Sequence, residues 1–442
     1  MSFATSPSAC RARAALALLL LAVPRWGMAD SWTSEYSAAL TRARAACAQP
    51  SPGPCRDSLR LASSLTDGRP DLACRLAGVE ARMHHTAAAR DDLEVCVASG
   101  LDSEAVMRAP ETLGLPDHAR LEALRRRLAV PSRDYSVAYS LTDPDLIAED
   151  ITYDPSRSSF LVSSVHERKI IRLDLGGGTS DLRPQIVKGW MGGIFALALD
   201  AHRNVLWATT SAGASSPPYS AADDGRSAVL ELDPKNGALI GRLELADGKP
   251  HGFGDVALDS DGTVYVADGR GGGVYAIRPG LKPNLEPLVA PQSLISPQTP
   301  ALLNGRRLLI PDYSRGIAEL DLASRNLRWV SHPRELALFG IDGLYAHGRT
   351  LVAVQNGTVP ERVLELTLDP ACRSIERWRV LVARVPELGD PTHGIIIGDT
   401  LYFIANSGWD RVADGGEYGA TRDARPAQIW KLTLPPADAC IK

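Results

Sequence analysis

Residues 255–269 read DVALDSDGTVYVADG and are followed by GVYAIRP at 273–279. Two alternating apolar runs flank an Asp-Ser-Asp-Gly turn, and a third run returns after a Gly-rich turn. This is the signature of successive antiparallel strands. The pattern recurs on both sides. Upstream stand ITYD (151–154) with FLVSSV (160–165) and KIIRLDL (169–175), then ALALDAHRNVLWATTS (196–211) with AVLELD (228–233). Downstream come ALLNGRRLLIPDYSRG (301–316) with IAELDL, GLYAHGRTLVAVQNG (343–357) with VLELTLD, and GIIIGDTLYFIANSG (394–408) with IWKLTL (429–434). Repeats of about 40 to 60 residues, each of four antiparallel strands, predict a six-bladed β-propeller. The last copy lacks a fourth strand. The alternating run Ser136–Leu141, ahead of the first copy, is placed to supply it and so remove an exposed edge.

Working outward to the N-terminus, residues 30–130 are rich in Ala, Leu and Arg, with apolar residues at helical spacing. Helices are expected over Ser31–Cys47, Cys55–Leu65, Asp71–Met83, Ala88–Ser99 and Asp117–Leu128, broken at QPSPGP, DGRP and ETLGLPD. The pairs loosely resemble tetratricopeptide hairpins. Before them, Arg11 and Arg13 precede the apolar run Ala14–Val23 and a small-residue site at Gly27-Met28-Ala29, the layout of a secretory signal peptide over residues 1–29. The expected division is therefore 1–29 signal, 30–130 helical and 131–442 propeller. The fold class is mainly β with a small α-helical hairpin domain.

The 442 residues are 45% hydrophobic and 23% charged, as in an ordinary globular protein. The formal charge is −4, and losing the three leader arginines takes it to −7. No basic surface is available for the counterion release that drives nucleic-acid binding, and no later run is long and apolar enough to span a bilayer. Of seven cysteines, Cys10 falls in the leader. The remaining six predict a disulfide-bonded, exported protein, periplasmic or extracellular. Cys47 and Cys55 flank one helical turn, and Cys74 and Cys96 stand at matching heights about another. Cys372 and Cys440 each follow the third strand of adjacent blades, on the same side of the ring.

In such a ring the residue at the start of each innermost strand faces the axis. Those positions are Glu149-Asp150, Phe195-Ala196, Gly254-Asp255, Gln298-Thr299, Asp342-Gly343 and His393-Gly394. The loop after each second strand returns to the same face with Ser164, Thr210, Asp268, Asp312, Asn356 and Asn406. Clustered carboxylate and amide oxygens are the donor set of Ca²⁺ or another divalent cation, with Glu149, Asp150, Asp255 and Asp342 as candidate ligands. Solvated polar residues lining a water-filled channel are the competing reading. His251 and His393 lie just before innermost strands and are the candidate general bases. Gln298, Asn356, Asn406 and Trp409 are the candidate substrate-pocket residues. No Gly-x-Ser-x-Gly, Cys-x-x-Cys or His-Glu-x-x-His motif is present.

AEDITYDPSRSSFLVSSVHERKIIRLD (148–174) resembles the first blade of the senescence-marker-protein/gluconolactonase superfamily, and GIDGLYAHGRTLVAVQ (340–355) resembles its fifth. The resemblance implies a metal-binding Glu at Glu149 and a metal-binding Asp at Asp342. The pair Glu149-Asp150 is also similar to the calcium-binding Glu-Asp of paraoxonase-type lactonases. A divalent metal, commonly Ca²⁺, and hydrolysis of a lactone or ester are what the family implies. The chain departs from the pattern at Asp255 and at Gln298-Thr299-Pro300, where the family carries Asn. Two functions are thus expected in competition: an exported metal-dependent hydrolase of a small lactone or ester, and a non-catalytic binding propeller whose partner is an envelope protein or peptide.

Overall fold

The computed structural model describes residues 30–184, 190–280, 282–413, 416–419 and 424–440. The expected signal peptide lies outside the described residues. Six sheets form a six-bladed propeller whose innermost strands are Ala148–Asp154, Gly193–Asp200, Phe253–Leu258, Ala301–Leu303, Ile341–His347 and Gly394–Ile397. Every adjacent pair of strands within a blade is antiparallel. The sixth blade is completed by Ser136–Ser140, paired antiparallel with Gln428–Thr433, so the expected closure is present. Tyr135 stacks on Trp430 at 3.7 Å just ahead of the closing strand. A feature without a sequence signal precedes it: Ser132–Arg133 adds a fifth strand to the outer edge of blade five.

The core of the ring is a set of seams. Each of the six blade-to-blade contacts has its own buried apolar cluster, such as Leu351, Leu364 and Leu366 against Leu309 and Ile317 between blades four and five. Alternation supplies this arrangement, because a strand buried on both faces sends successive side chains to opposite neighbours. At about 1.5–3 kcal/mol per fully buried aliphatic side chain, these seams dominate the stability of the ring.

The helical part contains α1 (Asp30–Cys47), α2 (Pro52–Leu65), α3 (Pro70–Arg82), α4 (Thr86–Ala98), α5 (Glu104–Arg108) and α6 (His118–Leu128). α2 begins inside the Pro-Gly-Pro run expected to be a break, since Pro is well tolerated in the first helical turn. The tetratricopeptide likeness is not supported: the described residues form six helices of uneven length, and α5 has only five residues. No described helix is long and apolar enough to cross a membrane.

The cysteines pair as Cys47–Cys55, Cys74–Cys96 and Cys372–Cys440. The helices are seated on the loops of blades three to five on the face where innermost strands begin. The indole of Trp32 donates to the Ser293 carbonyl at 3.0 Å. Arg69 donates to the Ser314 carbonyl and lies over the Phe339 ring at 4.0 Å. Arg362, 1% exposed, donates to Gln355 Oε1 and to the carbonyls of Ser99 and Ala337. Leu101 is buried with Ala337 and Phe339, so helices and ring share apolar contact.

Candidate functional site

The innermost strands do not begin as regular ladders. In blades one, two, three and five the register slips between Ala148 and Ile151, Ile194 and Leu197, Phe253 and Asp255, and Ile341 and Gly343. Bulges of this kind re-aim side chains at the rim of a sheet. Glu149, Asp150 and Asp342 lie within these slips and Asp255 closes one, which places their carboxylates at the axial end of the ring.

Blade six contributes His393. Its N–H donates to the Glu149 carbonyl at 3.1 Å and its carbonyl accepts from Ile404 N–H at 3.0 Å, which ties it to blade one and to its own second strand. Gly394 follows because a Cβ there would stand 2.4 Å from the Tyr402 carbonyl oxygen. The Gly394 N–H donates to the Tyr345 hydroxyl at 2.5 Å. The imidazole is 1% exposed. Its Nε2 lies 2.9 Å from Asp255 Oδ1 and 3.6 Å from Asp342 Oδ1. Both contacts are off the direction of the ring N–H, so they are ion-pair contacts rather than aligned hydrogen bonds, and Nδ1 has no hydrogen-bond partner among the described residues.

The carboxylates are held from behind. Thr299 Oγ1 donates to Asp255 Oδ1 at 2.6 Å. Asn356 Nδ2 donates to Asp342 Oδ2 at 2.8 Å, and Tyr313 donates its hydroxyl to Asn356 Oδ1 at 2.9 Å. The Trp409 indole N–H donates to Glu149 Oε2, and Phe195 lies 6.3 Å from the Trp409 ring. Asp150 is a latch between blades one and two, accepting the Ile151 and Leu197 amides at 2.7 Å each.

Burial sets the protonation states. Burial pushes the Glu149 carboxyl up to about 8 and Asp150 up to about 7, and it also raises Asp255. Burial works against charge on His393, but the carboxylates of Asp342 and Asp255 outweigh it and hold the ring well above its ordinary value. Beside Asp342, burial and the nearby Glu361 push Asp390 up to about 7, and the Asp390 N–H donates to Glu361 at 2.8 Å. Below the cluster the innermost strands enclose an axial cavity of about 380 Å³, with Asp150, Thr299, Tyr345 and Gly394 toward its upper end.

The structure therefore brings together Glu149, Asp255, Asp342, His393, Asn356 and Trp409 from the residues singled out in sequence. It does not bring in the others. His251 is clamped by Asp268 at 2.6 Å and Asp247 at 3.0 Å, both ring nitrogens engaged. Gln298 turns to Ser296, and Asn406 holds the Arg425 and Pro426 carbonyls. Asp268 and Asp312 brace their own loops by accepting backbone amides from Gly252 and Gly271, and from Ile295 and Ser314. Sequence reasoning missed Tyr313, Tyr345, Glu361 and Asp390. Tyr345 lies three residues past Asp342, and Asp390 three before His393, which was the available signal.

A divalent cation was expected here, and the donor set does not fit one. Ca²⁺ takes six to eight oxygens. Here the ring nitrogen of His393 stands among the carboxylates, and Asp150, Asp255, Asp342 and Glu149 each have an oxygen committed to a protein donor. Among the described residues no group of three or more His, Cys, Asp or Glu side chains stands where it could hold a metal ion.

No family model matches the chain, and no curated relative matches it. Among solved structures it is similar to regucalcin, a calcium-binding protein from Agrobacterium tumefaciens (13% identity, covering 71% of this chain and 100% of that one, TM-score 0.45). It is also similar to a gluconolactonase from Xanthomonas campestris (15% identity, 70% and 93% covered, TM-score 0.45). A third is virginiamycin B lyase from Staphylococcus aureus (11% identity, 68% and 100% covered, TM-score 0.43). At these values no activity is carried over from them.

Proposed function

We propose that this chain is an exported propeller hydrolase acting on a small lactone or ester at the axial opening, with His393 as the proton-carrying group. The observation that carries the reading is the buried imidazole of His393, 2.9 Å from Asp255 and 3.6 Å from Asp342, at the point where the blades converge. Elsewhere the buried acids near the axis are spent on backbone amides, as Asp150, Asp268 and Asp312 are. Here the ring keeps a nitrogen without a partner.

The chemistry follows from the charge states. A ring held cationic by two carboxylates is a proton donor near neutrality. In hydrolysis the water oxygen bonds to the carbonyl carbon and the C–O bond of the ester breaks. The leaving alkoxide takes a proton from His393, and the ring recovers one from the attacking water. Glu149, protonated below about pH 8, is a second acid beside it. Three disulfides support an oxidising, extracytoplasmic compartment.

The experiment is a panel of lactones and aryl esters with the full chain and His393→Gln. Turnover that falls at least about a hundredfold in the variant, as loss of a general acid or base does, supports the reading. Absence of turnover across the panel, or full turnover in His393→Gln, overturns it. A second reading, a non-catalytic binding propeller for an envelope protein or peptide, is favoured by one observation: the helices occupy part of the same face through Arg69, Trp32 and Arg362. An inactive panel together with a partner captured by the upper face would support that alternative.

A further inference from the structure

We propose that the axial site works without a divalent cation because the imidazole of His393 fills the place a cation would take, and that removing the ring creates a cation site. The proposal takes the axial cluster as the functional site, as above, but concerns what occupies it. Blades one, three and five each deliver one carboxylate to the axis: Glu149, Asp255 and Asp342. Asp255 and Asp342, ionised on separate sheets with Glu149 beside them, would repel one another without a counter-charge between them. Blade six supplies that charge from within the chain.

The ring is fixed in place. Its backbone is bonded on both sides, to Glu149 and Ile404. The following residue is tied as well, its N–H donating to the Tyr345 hydroxyl at 2.5 Å. The ring is 1% exposed, so it cannot swing to solvent without opening the top of the ring of blades. A hard cation drawing in oxygens at about 2.3–2.6 Å would have to displace Nε2, now 2.9 Å from Asp255 Oδ1. It would also compete with Thr299, Asn356 and Trp409 for the carboxylate oxygens they hold. With the ring shortened to alanine, the same carboxylates would face an empty, unneutralised space. The functional consequence is that polarisation of a bound carbonyl comes from an N–H donor and not from a Lewis acid.

Trp409 gives a direct readout, because its indole is bonded to Glu149. The test is tryptophan-excited Tb³⁺ luminescence, with Tb³⁺ standing in for Ca²⁺, together with elemental analysis of the dialysed full-length protein. The wild type is expected to hold no stoichiometric metal and to give no saturable emission. Folded His393→Ala is expected to gain saturable one-to-one emission, lost again on adding Asp342→Asn. A wild-type protein that binds one equivalent of Ca²⁺ or Tb³⁺ and loses it on Asp342→Asn overturns the proposal, as does a folded His393→Ala that binds none. Should His393→Ala not fold, ¹⁵N spectra of histidine-labelled wild type decide the matter. Unchanged His393 resonances in millimolar Ca²⁺ are expected, and their shift or loss overturns it. None of these readouts uses turnover, so failure of the hydrolase reading leaves them unaffected and their failure leaves that reading to its own assay.

Discussion

Replacing Asp255 by Asn tests the charge state of the axial cluster with little change of shape, because the Asn oxygen can still accept from Thr299 Oγ1. At the observed 2.9 Å, two unit charges attract by about 6 kcal/mol at an effective dielectric constant of about 20. Desolvation of both groups removes part of this, and breaking one partner of a buried pair costs about 3–5 kcal/mol. Asp342 remains 3.6 Å away as a second counter-ion, so the lower end, about 3 kcal/mol, is expected. The sign with pH is fixed. The folded-state value of His393 is raised, so the stability it contributes is present in full below the free-imidazole value of about 6.5. It is lost as pH rises through the raised folded value. The deficit of the Asn variant should therefore be largest at and below about pH 6.5 and shrink as pH rises through neutrality into alkali. Titration of Glu149 is common to both proteins and largely cancels in the difference. Denaturant unfolding of the two proteins at neutral pH and at about two to three pH units above measures this. A deficit under about 1 kcal/mol, or one that does not change with pH, would refute an ionised His393–Asp255 pair.

Three further outcomes are expected. Removing the Cys372–Cys440 bond, which closes a separation of 68 residues, should cost about 4 kcal/mol by loop entropy, read by unfolding of the double Ala variant. Arg362→Met leaves the Ser99 carbonyl and the Gln355 side-chain oxygen without their donor. It should cost about 3 kcal/mol and speed limited proteolysis between the helices and the ring. Trp409→Phe removes a hydrogen bond that lowers the Glu149 value. The carboxyl should then titrate above its present position near 8, read by infrared or ¹³C spectroscopy of the labelled side chain.

The ring was legible because its information is local. Alternation and Asp-Gly turns mark each strand pair, and the missing fourth strand of the last copy pointed to Ser136–Ser140. The Cys372–Cys440 pairing followed from the same register, and the other two from the helical turns. The site was legible only in part. Asp255 and Asp312 look alike in the sequence, each an acid at a strand end, but one meets His393 and the other accepts the amides of Ile295 and Ser314. That difference is made by slips in strand register and by loops returning from elsewhere in the chain, and neither leaves a pattern in neighbouring residues. His251 and His393 were equivalent candidates for the same reason. Asp268 and Asp247 reach the first from its own blade's loops, whereas blades three and five enclose the second.

The closing strand has a consequence for the order in which the molecule is built. Ser140 and Gln428 lie 288 residues apart in sequence yet belong to one sheet. On a ribosome the outermost strand of that sheet emerges well before the other three, so the ring stays open, with two raw strand edges, until nearly all of the chain has been made. Contacts of such long sequence separation are slow to form. During that wait Ser132–Arg133, just upstream, can pair only with an edge of blade five, itself late to appear. The seam where the circle meets is thus the last part assembled, and His393, bonded to Glu149 across it, can take its final position only when the circle is complete.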